Sequence, residues 1–113
     1  MDEKSGQSIL IDVQNIVDNC EEKWINYDLT EVNDCKVRLG VVEGEFHWHK
    51  HNEEDEFFYV VEGKLLLDLE SGTIELAPRQ GYTVPKGTVH RTRAKERTVM
   101  LMIEKSTVDP KGD

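Results

Sequence analysis

Short apolar runs separated by polar turn residues fill most of this chain. From position 24 onward, runs rich in Val, Ile, Leu, Phe and Tyr fall at 24–29, 35–42, 46–51, 56–61, 64–69, 73–76, 81–84, 90–94 and 98–103. Asn33-Asp34, Gly44, Glu62-Gly63 and Ser71-Gly72 punctuate them. Many short strands with small connections predict an all-β sandwich or barrel. Several runs are apolar on both faces: Phe57, Tyr59 and Val61 alternate with Phe58 and Val60, and Leu65, Leu67 and Leu69 with Leu66. The outer face is therefore expected to be covered, either by the N-terminal segment or by a second subunit, and a homodimer is expected.

The ends read differently. Residues 1–7 are a polar leader. From Ile9 to Cys20, apolar residues at Ile9, Val13, Ile16 and Val17 suit a short amphipathic helix, although Ile9-Leu10-Ile11 equally suits a strand. The expected organisation is a leader and helix or strand over 1–23, a β domain over 24–105 and a flexible C-terminal tail over 106–113, which could cross a partner subunit.

Length and composition narrow the classes. The 113 residues suffice for one core and are too few for two. No apolar run approaches the roughly 20 residues that span a bilayer, and the first residues lack the apolar centre of a signal peptide, so a cytoplasmic location is expected. The net charge of −9 argues against nucleic acid and anionic membranes as partners. Arg91, Arg93, Lys95 and Arg97 form a local basic cluster, either a solvated strand face or an anion contact for a substrate or neighbouring subunit. Cys20 and Cys35 show no C-x-x-C spacing and read as reduced thiols.

The histidines carry the chemistry. Three of the four, His47, His49 and His51, lie within five residues, and His90 follows about forty residues later. On an extended strand, His49 and His51 share a face, and imidazoles so arranged suit a first-row transition metal. The acidic run Glu53-Glu54-Asp55-Glu56 could bring a carboxylate back to them; the same strand could equally be exposed and bind nothing. The segment from Gly81 to His90 is a short strand, a Pro85/Gly87 turn and a histidine, a turn that delivers His90 to the start of the next strand.

In these residues the chain resembles the cupin superfamily. His49-x-His51, then Glu56 and Gly63, match its first motif in type and spacing; Gly44 precedes them one residue nearer than the commonest spacing. Pro85-x-Gly87-x-x-His90 matches the second motif. The resemblance covers about residues 24–105 and extends to small single-domain cupins of the mannose-6-phosphate isomerase-like group. Two positions depart from the pattern: Arg79 stands at the usual opening glycine of the second motif, and Ala94 at a frequent asparagine. His47 with His49 and Glu53 would form an alternative register, but it spoils the spacing to Gly63.

The resemblance implies a double-stranded β-helix, or jelly-roll barrel. It implies one divalent transition metal ion (Fe, Mn, Ni, Zn, Co or Cu) on His49, His51, Glu56 and His90, with open positions for a small-molecule ligand or substrate. Isomerase- or dioxygenase-like chemistry fits such a centre, and so does a non-catalytic metal and small-ligand binding module; the catalytic residues are unknown. Phe46 or Trp48, Phe58, Val60 and Met100 or Met102 are expected to line the pocket. A sugar-phosphate substrate would need a basic clamp, for which only Arg91, Arg93 and Lys50 offer themselves, and alternation points all three outward.

Overall fold

The computed structural model describes residues 10–113. One helix, α1 (Val13–Asp18), precedes seven strands: β1 (Trp24–Val32), β2 (Cys35–Glu45), β3 (Glu56–Glu62), β4 (Leu65–Leu69), β5 (Gly72–Leu76), β6 (Gly81–Val84) and β7 (His90–Lys105). The first seven residues and Ile9 lie outside the described part. The Asp12 side chain accepts from the Asn15 amide at 3.1 Å and starts α1. Arg97 of β7 donates to the Val17 and Cys20 carbonyls, each at 3.0 Å, and so satisfies its last turn.

All the pairings are antiparallel, and β7 is their spine. Its first part pairs with β4, from Leu69 opposite His90 to Leu66 opposite Arg93. Its second part lies between β2 and β3, so that Met102 faces Arg38 on one side and Phe58 on the other. The β1–β2 hairpin turns at Asn33, whose φ of 54° is of a kind Asn tolerates.

Two expected boundaries change. The runs 90–94 and 98–103 form one continuous strand, because the exposed polar residues between them stay extended at a register irregularity opposite Val42 and Gly44. The run 46–51 is not a full strand. It is held by the Phe46 amide on the Thr92 carbonyl at 3.0 Å and by one bridge, His49 to His90, with both N···O distances 2.9 Å.

Strand alternation builds two cores. Inside the barrel, Val42, Phe58, Val60, Leu65, Leu67, Leu76, Val84, Ala94, Met100 and Met102 pack together. Outside it, Val17 and Cys20 of the helix segment cover Leu39, Val41 and Val99. The N-terminal segment thus covers one part of the outer sheet face. Farther along that face Val61 and Ile103 stay exposed, beside half-buried Phe57 and Tyr59.

Candidate metal centre

The barrel brings together four residues from three segments. Ligand atoms of His49, His51, Glu56 and His90 lie within 4.8 Å of one another. His49 and His51 come from the extended run after β2, Glu56 opens β3, and His90 opens β7. The turn before His90 forms as its residues demand: Gly87 has φ +82°, and its amide donates to the His51 carbonyl at 2.7 Å, so the second motif is tied to the first. Asp55, next to Glu56, accepts from the Lys86 amide at 2.9 Å and holds the same turn.

Two histidines are aimed from behind. Nδ1 of His49 lies 2.9 Å from the His47 carbonyl and Nδ1 of His90 lies 2.9 Å from the Thr88 carbonyl. Each Nδ1–H donates to its carbonyl, which leaves the Nε2 lone pair for the centre. Glu56 Oε1 stands 3.4 Å from His51 Nε2 and 3.5 Å from His90 Nε2. These separations are long for a hydrogen bond. Among the described residues, both ring nitrogens of His51, Oε1 of Glu56 and Nε2 of His90 are buried without a hydrogen-bond partner. Buried polar atoms left unpaired are costly, and a cation between them would satisfy all the converging ones at once.

The electrostatics suit the same arrangement. Burial pushes the His49 pKa down, favouring the neutral imidazole that can ligate. The Glu56 carboxylate beside its ring raises that of His51. Burial alone would raise the Glu56 carboxyl; the His51 and His90 rings and the Glu104 carboxyl, all directed at it, together hold it below the ordinary carboxylate range.

His47 takes another part: its Nε2 lies 2.7 Å from the Lys111 carbonyl, outside the cluster. Glu54 accepts from the Thr107 hydroxyl at 2.9 Å. Glu56 is the carboxylate grouped with all three of His49, His51 and His90, whereas Glu54 is grouped with His51 alone of the histidines.

A cavity adjoins the cluster. His49, Glu56, Phe46, Phe58, Thr92, Met100 and Met102 line it together with Trp24, Asn26, Arg38, Glu104 and Pro110. Its accessible interior is about 30 Å³, room for about two waters. Phe46 faces in, while Trp48 is 45% exposed and lies outside under the Arg91 guanidinium, 5.1 Å from its ring centre. Arg38 and Glu104 were absent from the sequence expectation. Their signal was a period of two: Arg38 precedes Gly40 and Val42 on the inner face of β2, and Glu104 follows Met100 and Met102 on that of β7.

Two members of the basic cluster on β7 are engaged in internal ion pairs. Arg91 and Arg93 both reach the buried Asp68 of β4, at 2.8 and 2.6 Å. The Arg93 guanidinium, backed by Thr73 and Arg91, holds the Asp68 carboxyl well below the ordinary carboxylate range against the upward push of burial. Both arginines are on the face opposite His90 and Thr92, as alternation requires. Cys20 and Cys35 are free thiols.

A barrel of this topology with a three-histidine, one-carboxylate cluster at its mouth defines the cupin class. Residues 30–104 match the Cupin domain family, and the chain belongs to it. It is 47% identical over 90 residues to the uncharacterized protein YdbB of Bacillus subtilis (strain 168), covering 79% of this chain and 80% of that one. The crystal structure of a cupin-2 domain containing protein from Shewanella frigidimarina NCIMB 400 superposes with a TM-score of 0.82 at 34% identity, covering 88% of this chain and 97% of that one. KdgF from Halomonas sp. shares the fold, with a TM-score of 0.68 at 22% identity over 81% of this chain and 94% of that one. No helix among the described residues is long and apolar enough to cross a membrane.

Proposed function

We propose that this cupin holds one divalent transition metal ion on His49, His51, Glu56 and His90, and that it acts there on a small organic molecule. The observation that carries the reading is the convergence of buried, unpartnered ligand atoms from three separate segments. Three imidazoles and one carboxylate would suit iron, manganese, cobalt, nickel, copper or zinc. When bound there, the ion would supply Lewis acidity.

The chain's own residues do the rest. The backbone carbonyls of His47 and Thr88 orient two of the rings. Trp24, Phe46, Phe58 and the two methionines give the cavity apolar walls, while Asn26 offers a donor to an oxygen-bearing substrate. Isomerisation and dioxygen-dependent cleavage both fit this set. A sugar phosphate fits less well, because Arg91 and Arg93 are engaged by Asp68 on the other face.

The same reading includes a cytoplasmic location, in keeping with the free thiols, and a homodimer joined through the open face at Val61 and Ile103. The test is metal loading of the intact chain and of His49→Ala, followed by oxygen-uptake and isomerase screens. We expect one equivalent of metal, its loss in His49→Ala, and turnover that depends on the metal. Metal without turnover on a broad panel would support a binding module instead, and a chain that takes up no metal would overturn the reading.

A further inference from the structure

The last residues of the chain lie against the metal-binding run. Val108 is buried, and Pro110 forms part of the cavity wall. The Lys111 carbonyl accepts from His47. Gly112 has φ +96°, and a Cβ added there would fall 2.5 Å from the His49 Cβ. Only glycine meets both conditions, so the segment presses directly on His49. The Asp113 amide donates to the Lys50 carbonyl at 2.9 Å, and Asp113 Oδ2 accepts from the Asn52 amide at 2.6 Å. Those two partners flank His51.

His51 needs such a neighbour. The Nδ1–H of His49 and of His90 each has a backbone carbonyl behind it, but both nitrogens of His51 are buried and unpartnered. Its Nε2 stands beside Glu56, which leaves Nδ1 pointing away from the centre. A ring nitrogen of His51 and carboxylate oxygens of Glu54 and Asp113 lie within 4.8 Å of one another. Glu54 Oε2 accepts from Thr107 and Asp113 Oδ2 accepts from the Asn52 amide, so each carboxylate keeps one oxygen; Asp113 is the one held by two backbone bonds on the residues that flank His51. Its other oxygen is free to accept from His51, across one bridging water or after a small rotation.

We propose that the segment from Thr107 to Asp113 is a working part of the metal centre, with Asp113 as the outer carboxylate partner that orients His51. The inference rests on the metal-centre reading above. It makes Asp113 a positioning residue: its carboxylate accepts the Nδ1 proton, fixes the tautomer and leaves the Nε2 lone pair for the ion. It also gives the tail a reason to lie over the mouth, where Pro110 walls the cavity.

The test uses the full chain, with zinc affinity measured by competition against a chromophoric chelator and ring 15N shifts measured by NMR. Asp113→Asn is expected to weaken zinc by about 10–100-fold and to change the ring shifts of His51 while those of His49 and His90 stay. Asp113→Glu is expected to restore both. Glu96→Gln, which removes a negative charge from the exposed part of β7, is expected to leave them as in the wild type. Unchanged affinity and unchanged His51 shifts in Asp113→Asn would overturn this inference while leaving the centre intact. A full chain that binds no zinc would overturn the centre and the inference together.

Discussion

Glu56 at the start of β3 and Glu104 near the end of β7 stand directly opposite each other, and both are buried. Two carboxylates so placed do not both ionise readily. Burial, reinforced by the Glu56 carboxylate, pushes Glu104 up to about 8, which favours its protonated form beside Glu56. Arg38 stands on its other side, with Nε 3.0 Å from Glu104 Oε2. Arg38, Glu104 and Glu56 thus form one polar row along an otherwise apolar interior.

Substitutions of Glu104 test this row. Glu104→Gln keeps an N–H donor for Glu56, so its stability is expected to stay within about 1 kcal/mol of the wild type. Glu104→Ala leaves a cavity and removes the partner of two buried charged groups, at a cost of about 2–4 kcal/mol. Chemical denaturation of both variants checks the difference. Equal losses would show that the glutamate acts by volume alone.

Asp68 gives the fold a defined acid sensitivity. Its folded pKa is depressed, with Arg93 the main cause. Its contribution is therefore complete above the unfolded value of about 4 and fades as pH falls through the folded value. Asp68→Asn is expected to cost about 2–3 kcal/mol at neutral pH, given that the two arginines it serves are 26% and 24% exposed. The gap to the wild type should narrow steadily below about pH 4. A gap that stays constant into acid would contradict the assignment.

Arg79 occupies the left-handed region, with φ +70°, where the family motif has glycine. Its amide donates to the Val60 carbonyl at 2.8 Å, so the turn needs this conformation whatever the residue. A non-glycine residue there costs about 1–2 kcal/mol, and glycine returns part of that as extra freedom of the unfolded chain. Arg79→Gly is expected to stabilise the protein by up to about 1 kcal/mol in thermal or urea unfolding. A loss of stability would show that the Arg79 side chain holds something its backbone does not.

Much of the site was legible in the sequence because its residues sit on short, regular elements. Alternation placed His90, Thr92 and Ala94 inward and Arg91 and Arg93 outward, and spacing placed Glu56 with the histidines. What escaped was set by distant strands. The partner of Arg91 and Arg93 is Asp68, more than twenty residues earlier, and only the β4–β7 register reveals it. Arg38 and Glu104 meet across β2 and β7 for the same reason. The alternating composition of the 46–51 run predicts a strand, yet it makes only one bridge and one further bond to β7, from the Phe46 amide to the Thr92 carbonyl, with other backbone contacts going to the turn and the tail. Pairing depends on neighbours that local pattern does not name.

The most direct test of the metal centre is a crystal structure of the zinc-loaded protein with anomalous data across the zinc edge. One peak is predicted, bound by His49, His51, His90 and Glu56, with Zn–N distances of about 2.0–2.1 Å. No peak at that position, or a peak instead among His51, Glu54 and Asp113, would contradict the account.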